Sequence, residues 1–321
     1  MKVATSNAPV HKRIGALRHF WNLTGESSQA EQWDALAATA SIDIAAARML
    51  EPHLDALGIL AEAGADAPPH DSTWGVYAAE SPGKALTADT QADGSATLSG
   101  TKAWCSLAAD LSHAIVTAFD GREPRAYAVS LSDSRVHPSD EAWPSVGLSE
   151  IPSGSVGFDH APATAVGAPG WYLQRPSFAW GGIRVAACWF GGAMGIARKA
   201  TQYHFARPYP SPLGNLVLGQ IDAEIFAARS TLSHAATLIN SDVIESRDEA
   251  WKLALRVRNI VYRSAQRIQL LARELAGPAA LTGDRSFAKA DADLTVYLSQ
   301  HHGPRDEAAL GEEIADCRAM G

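Results

Sequence analysis

Trp104 and Ser106 sit two residues apart in SGTKAWCSLAAD (Ser99–Asp110), a stretch whose first half reads as the end of a β-strand. In a strand, residues two apart point to one face, so an indole and a hydroxyl would look out together. Such a pair is either core packing or a wall, carrying a hydrogen-bond donor, built against something flat. A second group with chemical potential is His301 with its neighbour His302, in QHHGPRDE beside Asp306 and Glu307. Adjacent side chains on a helix diverge by about 100°, which disfavours a shared metal ion. An acid–base role for the cluster stays open, because imidazole titrates near neutrality.

Several other chemistries are excluded. No GxxxxGKS/T and no GxGxxG between strand and helix is present, and GGAMG (191–195) falls within a helical pattern, so a phosphate-cradling dinucleotide fold is not expected. SGSVG (153–157) lacks the first glycine of a serine-hydrolase elbow. Cys105, Cys188 and Cys317 are far apart and odd in number; this argues against a disulfide framework and for a reducing cytoplasm. The formal net charge of −8, with no long basic block, argues against nucleic acid as a partner. The N-terminal MKVATSNAPVHKRIG has no apolar signal core. The apolar run Ala179–Ala197 contains Arg184 and two Gly-Gly pairs, and reads as a helix buried in a bundle rather than a membrane span.

The elements that must position these groups fall into three zones of a 321-residue chain, 46% hydrophobic and 19% charged, a globular composition. Residues 1–66 are rich in Ala and Leu, with Leu36, Ile42, Ala46, Leu50, Leu54 and Leu57 on one helical face. Residues 67–172 change period. WGVYAAE, ATLSGTKAWCS, HAIVTAF, RAYAVSL and SVGFDHA are short strand-like segments with turn chemistry between them. Residues 173–321 return to helix, with one stripe at Leu218, Ile221, Ile225, Ala228 and Leu232 and another from Val257 to Leu275. The expected fold is therefore α+β, mostly α. A helical segment leads, a small barrel or sandwich follows, and an antiparallel helical bundle closes the chain. Most of the nine tryptophans are expected in packing.

The motifs, in order, resemble the acyl-CoA dehydrogenase family of flavoproteins. LSGTKAWCSLAAD (98–110) is similar to the family's G-x-K-x-W-I-T/S-N-G-x-x-A-D. Residues 147–172 are similar to its strand and glycine-marked turn, and residues 181–207 to its long helix ending in A-x-x-Y-x-x-x-R, with Gln220 following. The similarity covers about Trp74 to Arg229 well and the last helices loosely. The resemblance implies FAD as cofactor. Trp104 would stack on the isoalloxazine ring, Ser106 would offer a hydroxyl near its reactive nitrogen, and backbone around Ala78 to Glu80 would touch its polar edge. Arg207 would reach the diphosphate of a neighbouring subunit's FAD, with Gln220 near the same cofactor. Gly277 corresponds to a family glycine. A homodimer or homotetramer is implied, as are a small acyl substrate, with coenzyme A as one carrier, and an electron acceptor.

The chain departs from the family at several places, among them ARPYPSPLGN for R-x-x-F-G and a short N-terminal helical zone, and two of the departures bear on the chemistry. T-E-P-x-x-G-S-D becomes AESPGKALTAD, which removes a phosphate-holding Gly-Ser pair. Where many members carry a glutamate base for the α-proton, register places His301. His301 is then either a base or a surface histidine. The expected activity is α,β-dehydrogenation of an acyl thioester or related acyl substrate with hydride transfer to flavin. Flavin-dependent monooxygenation or oxidation on the same fold, with His301 steering the oxygen chemistry, is one alternative. A non-catalytic homologue that has lost FAD is another.

Overall fold

A computed structural model describes residues 8–23, 27–175, 177–208, 211–241, 243–244 and 246–319. Three helices lead: α1 (Val10–Trp21), α2 (Gln29–Ala40) and α3 (Ile44–Glu62). Seven strands follow: β1 (Trp74–Tyr77), β2 (Leu86–Thr90), β3 (Ser95–Lys102), β4 (His113–Asp120), β5 (Glu123–Ser130), β6 (Val136–Pro138) and β7 (Val156–Val166). The rest is helical: α4 (Trp171–Gln174), α5 (Ser177–Phe205), α6 (Pro212–Asn240), α7 (Arg247–Ala276), α8 (Pro278–Gly283), α9 (Arg285–Leu298) and α10 (Pro304–Ala319). The fold is α+β and mostly α, with N-terminal helices, a small β-barrel and a C-terminal helical bundle.

The described residues form two compact units. One takes those within Met1–Glu26, Arg48–Ser145 and Ser149–Phe178; the other takes those within Ser27–Ala47, Val146–Leu148 and Ala179–Gly321.

In the first unit, β4, β2, β3, β7 and β5 pair in sequence and β5 pairs back to β4, which closes the sheet into a barrel. β1 joins on β4 and β6 on β7. Closure removes the sheet edge that would otherwise template aggregation. The barrel carries an apolar cluster in which Ala56, Ile59 and Leu60 of α3 meet Trp74, Ile115, Ala126, Val166 and Tyr172. β3 bends at Gly100, where its register against β7 shifts. Gly100 has φ 121°, and a Cβ there would run into the Ala85 carbonyl oxygen, so only glycine fits. β2 and β6 are absent from the expected strands. LTADT has one buried residue, Leu86, and β6 has only three residues, so neither carries a readable alternation.

In the second unit, α2 opens with a reciprocal capping box: Ser28 N donates to Glu31 Oε2 at 2.8 Å and Glu31 N donates to the Ser28 hydroxyl. α7 opens with the same device at Ser246 and Glu249. The expected face Leu36–Leu57 is not one helix. The chain breaks between α2 and α3, and Ile42, counted in that face, is exposed in the break. α5 is the buried helix expected from its composition. Trp189 is fully buried and donates its indole N–H to the Tyr297 carbonyl at 3.0 Å. Gly191 packs on the backbone of Ala37, which leaves no room for a Cβ. Among the described residues, no helix is long and apolar enough to cross a membrane. The α6 and α7 stripes face inward at Ile221, Ala228 and Leu232, and at Val257, Val261, Ala265, Ile268, Leu271 and Leu275.

Candidate functional site

The Trp104–Ser106 pair does not share a strand face. β3 stops at Lys102, and Trp104 takes a left-handed backbone, φ 60°. Alternation of side chains ends where β geometry ends. A bulky residue in the left-handed region is strained, and such residues gather at functional positions. Trp104 is 59% exposed, so packing does not repay the strain. Leu107 repeats the conformation, φ 60°. The loop is fastened by backbone: Cys105 N donates to the Gly154 carbonyl at 2.8 Å and Leu107 N to the Pro152 carbonyl at 2.7 Å. What results is a rigid loop presenting a bare indole.

Ser106 is held in a chain of polar groups. Ser153 donates to the Ile151 carbonyl, which spends its only hydrogen. Ser106 therefore donates to Ser153 at 2.8 Å and accepts from Arg48 Nη2 at 3.2 Å. Its carbonyl accepts the Tyr77 hydroxyl at 3.0 Å. A ligand that takes the Ser106 hydrogen must draw it from Ser153. Cys105 is not a nucleophile: burial pushes its thiol up to about 12, against a smaller pull from Lys102.

Sequence reading passed over Lys102. Its side chain is 1% exposed, and Nζ donates to Glu80 Oε1 at 2.6 Å and Thr117 Oγ1 at 2.9 Å. Glu80 is half exposed. Thr117 in turn donates to the Ala78 carbonyl at 3.5 Å. Lys102 thus pins both ends of the Ala78–Glu80 segment from beneath. The signal was present: a lysine in a strand, two residues before Trp104.

In the second unit, His301 is buried and sealed. Its Nδ1 accepts the Gly303 N–H at 3.0 Å, so Nε2 carries the hydrogen and donates to Asn259 Oδ1 at 2.8 Å. The Asn259 amide donates to the Asp306 carbonyl, which fixes its orientation. The ring stacks on Tyr262, and burial lowers its pKa although Asp306 opposes. Neither nitrogen is left for a ligand. His302 differs: it is 67% exposed, with Nδ1 3.1 Å from Asp306 Oδ1 and, among the described residues, no hydrogen-bond partner at Nε2. Burial works against ionisation of Asp306, but Arg258, His301 and His302 outweigh it and hold its carboxyl below the ordinary value. Glu307 is bound to Arg263. The open histidine–aspartate pair is therefore His302–Asp306, which sequence register alone could not separate from His301.

Arg207 and Gly277 are brought together. Arg207 Nη2 donates to the carbonyls of Leu275 and Ala276, the last of α7, at 3.0 and 3.2 Å. Gly277 follows with φ 79° and ψ 174°, a conformation that favours glycine. Arg207 thus caps a helix end. Gln220 lies exposed on α6, Ala78 is half-buried and Glu80 exposed at the end of β1. Among the described residues, no cluster of His, Cys, Asp and Glu could hold a metal ion.

No family model matches the chain, and no curated protein matches it in sequence. Solved structures match in fold. Dibenzothiophene monooxygenase TdsC from Paenibacillus sp. A11-2 superimposes with a TM-score of 0.80 at 19% identity, over 96% of this chain and 89% of that one. KijD3, solved with FMN and a dTDP-linked sugar, gives 0.78 at 18% identity, over 96% and 84%. Methanesulfinate monooxygenase MsuC from Pseudomonas fluorescens gives 0.75 at 16%, over 93% and 86%. TdsC has also been solved with FMN and indole. At these identities the likeness establishes the fold.

Proposed function

We propose that the chain is a flavin-dependent monooxygenase built on the acyl-CoA dehydrogenase fold. The observation that carries this is the C-terminal cluster. Asp306 is tied to His302 and Arg258, and Glu307 to Arg263, so neither is free to take a proton α to a thioester. An exposed histidine–aspartate pair stands there instead. The fold neighbours named above are consistent with oxygenation of sulfur compounds.

The residues present fit a flavin ring. Trp104 offers an exposed indole on a strained, fastened loop, and the Ala78–Glu80 segment, pinned by Lys102, offers backbone polar groups. FMN suits the chain better than FAD. The Gly-Ser pair for the diphosphate is missing, and Arg207 spends Nη2 on the end of α7. When bound and reduced by an external donor, the flavin supplies the two electrons that activate dioxygen. Trp104 would pack one face of the ring and exclude water, and Ser106 would donate its hydrogen, drawn from Ser153. In the second unit, His302 would hold a proton at Nε2, with Asp306 fixing the Nδ1–H tautomer.

The test is anaerobic addition of acyl-CoA thioesters to the FMN-loaded protein, followed by turnover with a flavin reductase and oxygen-18 gas on sulfides and indoles. Label in the product supports monooxygenation. Bleaching of the flavin by an acyl thioester would instead establish dehydrogenation, the second reading, for which the ordered motifs from Trp104 to Gln220 speak.

A further inference from the structure

On the barrel unit, α1 and residues 70–73 enclose a pocket of ≈ 680 Å³, within the size range of small-ligand sites. Ile14 and Leu23 form an apolar wall, and His11 and His19 stand along α1. Arg18 enters from the last turn of α1. Its guanidinium is half-buried, has no recorded hydrogen bond or ion pair, and keeps Nε shut away from solvent without an acceptor. Burial alone lowers its pKa.

His53 of α3 does not line the pocket and is completely buried. Its Nδ1 accepts the Trp74 N–H at 3.3 Å, so Nε2 carries the ring hydrogen. Nε2 also lacks an acceptor. Burial first, and then the Arg18 charge, push the pKa of His53 down to about 3, so the ring stays a neutral donor. Among the described residues, neither of these two donors, one of them cationic, has an acceptor, which is costly in a native fold. Of the described lining residues Asp71 alone is acidic. It is fully exposed and sits 3.2 Å from His70, so it does not compensate Arg18. Among the described residues, none brings a negatively charged oxygen to the Arg18 guanidinium.

We propose that this pocket binds a small organic oxyanion, a carboxylate or a phosphate monoester, with its oxygens on the Arg18 guanidinium and its body over Ile14 and Leu23. None of the residues assigned to the flavin lines it, so this site stands or falls independently of the function proposed above.

The full chain is titrated calorimetrically with inorganic phosphate and, separately, with benzoate, at constant ionic strength and neutral pH. Saturable binding of one or both is expected, and which one binds names the head group. Arg18→Gln should weaken it at least about tenfold, since a charge-assisted contact is lost, and should melt no lower than the parent without ligand, because an orphaned charge has gone. Should Arg18→Gln fold poorly, Arg18→Lys is used, with partial retention of binding expected. Crystals soaked in the bound anion should show it on the Arg18 guanidinium. Absence of saturation with both anions, equal binding by the Arg18 variant, or a water alone on the guanidinium overturns the proposal.

Discussion

The imidazole of His301 lies flat on the ring of Tyr262, with centroids 3.9 Å apart and planes 9° from parallel, and spends both nitrogens on Gly303 and Asn259. The two rings are 39 positions apart in sequence, and their stacking makes His301 a buried structural member while His302, next along the chain, stays open. His301→Ala should therefore destabilise the protein by about 3 kcal/mol through cavity formation and lost stacking. His302→Ala should change stability by less than about 0.5 kcal/mol. Urea denaturation of the two variants checks this; equal losses would contradict the assignment.

Trp104 carries a penalty that glycine would not. With φ 60° and most of its surface in solvent, Trp104→Gly should raise stability by about 1 kcal/mol. It should also weaken FMN binding at least about tenfold, by loss of the stacking surface. Trp104→Ala should lose binding similarly without the gain, because alanine keeps the left-handed strain. Melting temperature and a flavin titration report the two effects separately.

Much of the architecture was readable from the chain. The change of period near Trp74 marked a β-domain, barrel or sandwich, and the α6 and α7 stripes marked the bundle. The failures have local causes. Leu36–Leu57 reads as one face because hydrophobic spacing does not register a three-residue break. Trp104 and Ser106 read as a shared face because nothing in their types announces that the strand ends at Lys102. His301 and His302 are indistinguishable in register; Tyr262 and Asn259 on α7 decide which is buried, and that is tertiary information.

The Lys102–Glu80 pair is asymmetric, and its mutants should be too. Lys102 is buried and Glu80 half exposed. Glu80→Ala strands a buried ammonium and should cost about 3 kcal/mol, whereas Lys102→Met leaves a carboxylate that water can solvate and should cost less than about 1 kcal/mol. Guanidinium denaturation of both variants tests the order; the reverse order would show that Lys102 is not the desolvated partner.

His53 should make stability depend on pH. Its folded pKa, about 3, lies below the unfolded value of 6.5, so the unfolded chain binds the extra proton between them. Stability from this group is fully present above about pH 6.5 and is lost as pH falls toward 3, with a slope of up to about 1.4 kcal/mol per pH unit. His53→Asn, whose side-chain carbonyl can still accept the Trp74 N–H, should flatten the difference between pH 7 and pH 5. An unchanged slope in unfolding free energy would mean that His53 is protonated in the fold.

The presence of a flavin against Trp104 is tested most directly by mixing the purified protein with FMN, removing unbound cofactor by gel filtration, and recording the visible absorption. The expected result is flavin retained near one per chain, with its fluorescence quenched and the retention lost in Trp104→Ala. Passage of both FMN and FAD straight through the column, unbound, would contradict the account.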